Sequence, residues 1–208
     1  MKEFLLFIDT ETTDIPKKWN LPYSDTKNWP SAVQVSWMIC KQNGDLISKN
    51  SFYINVKELK VSKNSIKIHG IKNDFLLENG SPRKDVLELL AQDIQQYKPL
   101  IVGHFVEFDL HTLSTDYHRE GLQNPFLDAT FFCTLLVSNK FVQNPSAQYL
   151  RLPQLCEHLF KEGCKGFHNA DVDREMTAKC FFKLLSQNEI SEQEFHHIHQ
   201  QIKDNLKF

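Results

Sequence analysis

The sequence predicts an α/β protein in which a five-stranded mixed sheet is flanked by helices. Three patterns carry that prediction. Residues 4–8 are an unbroken apolar run, the mark of a strand buried on both faces. Two alternating segments are joined by Asn43-Gly44, the strongest short hairpin signal. Beyond residue 80, short apolar strands alternate with stretches of helical spacing, which sets a parallel half beside the antiparallel one.

The first strand covers residues 3–9. Residues 15–31, rich in Pro, Asn, Ser and Lys, read as a surface loop. Val33, Val35, Trp37 and Ile39 give the second strand its period of two, and Phe52, Ile54 and Val56 the third. Ser81-Pro82 opens a helix, cap then Pro at the first position, and Val86, Leu89, Leu90, Ile94 and Tyr97 continue it. Residues 99–103 (PLIVG) form a short buried strand. Leu110, Leu113 and Tyr117 mark another helix, and residues 126–130 (FLDAT) a fifth strand with a helix after it. Residues 152–160 read as helical, and Met176, Cys180 and Leu184 line a longer helix. Ser191 and Glu194 make a capping box for a last helix over 192–206. This suggests one domain over 1–188, with a C-terminal helix over 189–208 packed on it.

A chain of 208 residues suffices for one well-packed domain, and sixteen Phe can supply its core. The apolar runs are far too short to span a bilayer, and the first residues lack the apolar stretch of a signal peptide. A cytoplasmic protein without membrane contact is expected. Five cysteines (Cys40, Cys133, Cys156, Cys164, Cys180) show no CxxC pairing and read as reduced, mostly buried thiols. A net charge of −2 argues against coating long duplex DNA by phosphate neutralisation. It leaves room for an enzyme that holds a short strand end through bound metal.

Asp9 and Glu11 are two apart at the end of the first strand, so they project to one face. Chance also makes such triplets in a chain with 26 acidic residues, but few of those end a strand buried on both faces. Asp109 follows the 99–103 strand and starts a predicted helix, where a carboxylate is also simply stabilising. His168 and Asp173 are five apart, about 140° around a continuous helix. They converge if His168 lies in a loop and Asp173 in the first helical turn, although Asn169 or Asp171 as a cap is the bland alternative. Four carboxylates brought together would repel strongly without a cation. Hard oxygen donors suit Mg²⁺ or Mn²⁺, and a pair of such ions can hold both oxygens of a phosphodiester displacement. An imidazole beside them can take the proton of the attacking water.

These residues lie in segments that resemble the DEDDh family of 3′–5′ exonucleases, most closely the epsilon proofreading type of bacterial replicative polymerases. "FIDTETT" is similar to the first motif, "GHFVEFD" to the second and "HNADVD" to the third. "WPSAVQVSW" and "IKIHGIKNDFL" resemble the segment before the second strand and the loop that lines the terminal-nucleotide pocket. The likeness covers about residues 3–186 and implies the ribonuclease H-like arrangement. It implies Asp9, Glu11, Asp109 and Asp173 as ligands of two Mg²⁺ or Mn²⁺ ions and His168 as general base. Thr12 (through its backbone), His69 and Phe108 are implied substrate contacts, with plain core packing an alternative for Phe108. Asp14 stands where the family usually has Gly, and Phe105 where it usually has Asn.

The implied function is metal-dependent hydrolysis at the 3′ end of single-stranded DNA, releasing nucleoside 5′-monophosphates in proofreading or repair, with a DNA polymerase as a candidate partner. RNA trimming, a non-catalytic nucleic-acid-binding or docking module, and a small-nucleotide phosphohydrolase are the alternatives. Lys161 and Lys165 are candidate phosphate contacts. His196 and His199 read as a solvated helix face, with a metal site as the alternative, and His104 as structural.

Overall fold

The computed structural model describes residues 2–161 and 167–207. Lys165 and Cys164 therefore lie outside the described residues. Five strands, β1 (Phe4–Thr12), β2 (Ala32–Lys41), β3 (Leu46–Tyr53), β4 (Leu100–Gly103) and β5 (Thr130–Cys133), form one sheet in the order β3-β2-β1-β4-β5. The helices are α1 (Lys63–His69), α2 (Asn73–Asn79), α3 (Arg83–Tyr97), α4 (Val106–Arg119), α5 (Thr134–Val137), α6 (Leu152–Phe160), α7 (Ala170–Ser186) and α8 (Glu192–Asn205).

β1, β2 and β3 are antiparallel neighbours, whereas β1, β4 and β5 are parallel. The β2–β3 hairpin turns at Asn43-Gly44 as expected. Gly44 has φ +94°, and the Asn43 side chain accepts from the Asp45 amide at 3.1 Å. That turn fixes where β3 begins, so β3 sits earlier than the alternation of residues 52–56 implies, and Ile54 makes only an isolated bridge with Ser81. Ser81 is thus taken up by that bridge, Pro82 caps α3 and the helix starts at Arg83. The fifth strand also differs from the expected 126–130. Phe126 is fully buried edge-on against Tyr117, a turn bonds the Ala129 amide to its carbonyl at 3.2 Å, and pairing begins only at Thr130.

Period-two alternation sends the two faces of β1 and β2 to different helices. Phe4 meets Tyr97 of α3, and the Trp37 indole donates to Asp93 of α3 at 2.7 Å. On the other face Phe7 packs against Phe181 and Phe182 of α7. The result is a sheet between two helical layers, with α8 beside β5 through the stacked rings of Phe132 and Phe195. His196 is exposed, but His199 is not purely solvated as expected: its Nδ1 accepts from the Phe131 amide at 3.2 Å. The four described cysteines are buried, and the thiols of Cys156 and Cys180 meet at 3.5 Å. No helix among the described residues is long and apolar enough to cross a membrane.

Candidate active site

β1 is paired unevenly, and that unevenness makes the site. Its antiparallel ladder with β2 runs from Phe4 to Thr12, but its parallel ladder with β4 covers only Leu5 to Phe7. β4 stops at Gly103, where a Cβ would come within 2.8 Å of Val106 Cβ, so only glycine lets the chain turn this tightly into α4. Past Phe7 the β4 side of β1 is taken by Asp109 from the first turns of α4. Its carboxyl accepts the Thr10 hydroxyl at 2.6 Å and is also bonded by the Thr10 amide.

Asp9 and Glu11 point to the α7 face, with a register shift between Glu11 and Thr12 directly after them. The contact of Phe181 with Phe7 sets the level of α7. Asp173 lies eight residues earlier, about 12 Å back along the helix, and Glu11 lies four residues on, about 13 Å along the strand. α7 runs antiparallel to β1, so the two carboxylates meet. One oxygen from each of Asp9, Glu11 and Asp173 lies within 4.8 Å of the others. Asp109 is not in that group; it stands beside Asp9 on the Thr10 side.

The first turn of α7 is fixed by a cap the sequence offered and by sheet contacts it did not show. Asn169 is the N-cap, accepting from the Asp171 amide at 3.0 Å. Asp171 reaches instead to the sheet, where Ser36 and Ser51 hydroxyls donate to it at 2.8 and 2.7 Å and Arg174 pairs with it at 3.1 Å. The fully buried Arg174 also donates to the Ser36 hydroxyl and, at 3.2 Å, to the Asn50 carbonyl. A tertiary partner on a strand more than 100 residues away leaves no local signal.

His168 lies in the loop before α7, exposed, with φ +68°. Its amide donates to Asp173 Oδ2 at 3.1 Å, so loop and helix converge as the spacing allowed. His69, at the end of α1, bonds the Thr12 carbonyl through Nε2 at 3.2 Å, and its Nδ1 accepts from the Ile71 amide at 3.0 Å. An accepting Nδ1 puts the proton on Nε2, so His69 is a donor that fastens the end of β1. Burial lowers its pKa, keeping it neutral. The segment expected as a loop here is instead two short helices, α1 and α2. Phe108 is half-buried and groups with the rings of Trp19 and Phe105. His104 is structural as expected: burial pushes it down to about 4, and Nδ1 bonds the Thr134 hydroxyl at 3.0 Å. Lys161 is exposed at the end of α6.

The charges of the cluster are unmet. Burial, reinforced by Asp173 and Asp109, pushes Glu11 up to about 8. Burial raises Asp9 well above the carboxylate range, with Asp109, Asp173 and Glu11 all adding to it and Arg174 opposing. Asp109 is pushed up to about 7, chiefly by burial. Asp173 Oδ1 is buried without a hydrogen-bond partner. A set of hard oxygen donors, crowded together with one oxygen orphaned, fits a divalent cation such as Mg²⁺ or Mn²⁺.

The family model described as Exonuclease (RNase_T) matches residues 6–181. No curated protein matches the chain. A crystal structure of E. coli Exonuclease I in complex with a dA16 oligonucleotide is similar over 94% of this chain and 43% of that one, at 17% identity and a TM-score of 0.72. The zinc-bound form of an E. coli ExoI–ssDNA complex is similar over 94% and 42%, at 16% identity and 0.73. A further Exonuclease I structure is similar over 94% and 43%, at 16% identity and 0.74. The chain thus spans less than half the length of these proteins. At such identities the likeness establishes the fold, the ribonuclease H-like mixed sheet flanked by helices.

Proposed function

The chain belongs to the RNase_T exonuclease family, and we propose that it is a divalent-metal-dependent 3′–5′ exonuclease. Its substrate is the 3′ end of single-stranded nucleic acid, DNA in preference to RNA, and its product is nucleoside 5′-monophosphate. The observation that carries this is the triad of carboxylate oxygens from Asp9, Glu11 and Asp173 within 4.8 Å, with Asp173 Oδ1 orphaned. The preference for DNA leans on the dA16 and dT13 oligonucleotides bound to the Exonuclease I neighbours. Proofreading or repair beside a polymerase is the setting the motif resemblance supplies. Residues 1–188 carry the nuclease, and the C-terminal helix completes the same unit.

Asp9, Glu11 and Asp173 would hold one ion, and Asp109, on the Thr10 side of the cluster, would contribute to a second. When bound, such a pair supplies charge neutralisation for the attacking and leaving oxygens of a phosphodiester displacement. The chain's own residues do the rest. His168, exposed and joined to Asp173 through its amide, takes the proton of the attacking water. Thr10 holds Asp109 in place through its hydroxyl, and His69 fixes the backbone of Thr12 where the terminal nucleotide would lie. Asp171 and Arg174 set the angle of the helix that bears Asp173.

The test uses matched 5′-labelled single-stranded DNA and RNA oligonucleotides with Mg²⁺, Mn²⁺ or EDTA. Metal-dependent shortening into a ladder is expected, DNA ahead of RNA. Asp9→Ala and Asp173→Ala abolish it, and His168→Ala cuts it severely. Full activity in Asp9→Ala would overturn the assignment.

A further inference from the structure

We propose that Trp19 and Phe105 form a stacking platform for the unpaired bases of the strand approaching the carboxylate cluster. The inference rests on the nuclease reading and assigns the site its selection for single strands.

Phe105 is the second of the two residues between β4 and α4, four before Asp109. It adopts φ +66°, ψ +39°, a left-handed conformation that a bulky side chain rarely takes, and it gives α4 no side-chain cap. Its ring is 41% exposed, so the strain is not offset by burial. The conformation instead lays the ring parallel to Phe108, centroids 6.1 Å apart at 14°. Trp19, 42% exposed, closes the patch at 5.8 Å from Phe105 and 6.0 Å from Phe108. Phe108 immediately precedes Asp109, so the patch is continuous with the site.

The platform is built rather than incidental. Trp19 leans on the stacked pair of Trp29 and His111, whose centroids are 4.7 Å apart, both buried. Its backbone position is set by the buried side chain of Asn28, which accepts from the Lys18 amide at 2.9 Å and donates to the Lys18 carbonyl at 2.8 Å. The exposed Lys17 and Lys18 precede it, and residues 15–31 carry three lysines and one aspartate in a chain of net charge −2. Exposed aromatic faces flanked by cations match a polyanion with stacked bases, and every base offers a π-face whatever the sequence. A base held in a duplex cannot lie on two side chains, so the occupant is an unpaired strand.

The experiment measures binding by fluorescence anisotropy of fluorescein-labelled dT12 with a 3′-terminal phosphorothioate, Ca²⁺ replacing Mg²⁺. In parallel, hydrolysis of the p-nitrophenyl ester of thymidine 5′-monophosphate, too short to reach the platform, is followed with Mn²⁺. Trp19→Ala and Phe105→Asn should each weaken dT12 binding about 10- to 100-fold. Both should leave hydrolysis of the small ester within twofold, and Trp19→Phe should restore most of the binding. Phe105→Asn should also keep or raise Tm, since Asn tolerates the left-handed conformation, whereas a packing role for Phe105 would lower it. Unchanged dT12 binding in both variants, or no dT12 binding by folded wild type, would overturn the platform and leave the patch to a protein surface. Wild type that binds dT12 through these residues but hydrolyses neither DNA nor the ester would overturn the nuclease reading and keep the platform.

Discussion

Asp116 and Glu11 are both buried carboxylates, and both have pKa values raised by burial, yet their surroundings are opposite. Asp116 lies in α4 against the chain entering β2. It accepts from the Ser31 hydroxyl at 2.8 Å, the Ala32 amide at 2.9 Å and Arg119 at 2.7 Å, with Arg83 at 3.7 Å. Two guanidinium groups oppose the effect of burial there. Around Glu11 the strongest influences after burial are two more carboxylates, which add to it. One acidic site is completed by the chain itself; the other is left for something that is not protein. Counting internal partners therefore separates a structural buried charge from a functional one where burial alone does not.

The contrast can be broken most directly by mutation. Asp116→Ala leaves the Ser31 hydroxyl and the Ala32 amide without their acceptor and takes one carboxylate from Arg83 and Arg119, which keep other partners; the loss of about 3 kcal/mol should lower Tm on the order of 10 °C. Asp9→Asn removes a repelling charge and should raise Tm in chelator. Calorimetry of both variants decides it, and a similar fall in both would erase the distinction. The next effect is that of metal. An ion at a hundredfold excess over its Kd contributes about 2.7 kcal/mol, so Mg²⁺ or Mn²⁺ should raise the wild-type Tm by about 5–10 °C. Asp9→Asn should lose most of that rise.

A pH series sharpens the comparison further. Glu11 keeps its proton up to about 8 when folded, against an ordinary value near 4.5, so the folded chain binds more protons across that window. Stability without metal should then fall as pH rises from about 5 to about 8. Melting curves in chelator should show that slope and its flattening in Glu11→Gln or with added metal. The smallest effect belongs to the surface. Lys49 and Glu175 pair while both are exposed, and Lys49→Ala should change stability by less than about 1 kcal/mol.

Much of this architecture was legible in the sequence because it is local. The apolar run into Asp9 and Glu11, the hairpin at Asn43-Gly44 and the capping box at Ser191 and Glu194 each announce themselves within a few residues. So did the convergence of a loop His168 with a first-turn Asp173. What stayed hidden depends on distant partners. Residues 15–31 looked like plain surface, yet Trp29 and Asn28 are buried because Arg119 of α4 binds the carbonyls of Thr26, Trp29 and Pro30. The start of β5 was misplaced because "TFFCTLLV" passes from strand to helix with no turn residue between. Spacing alone did not tell Asp171, tied to two strands, from Asp173, which faces the cluster; only the likeness of "HNADVD" to the third motif singled out Asp173.

One consequence follows from the place of β1 in the sheet. It is the third strand of five, hydrogen-bonded to β2 from Phe4 to Thr12. Amides on such a strand exchange with solvent through opening of the whole domain, whereas peripheral elements such as α1 or α8 can fray alone. Asp9 and Glu11 are therefore mounted on the element that lets go last. Breathing at the rim would loosen the grip on a strand without dispersing the carboxylates on β1, so they stay assembled for as long as the sheet itself does.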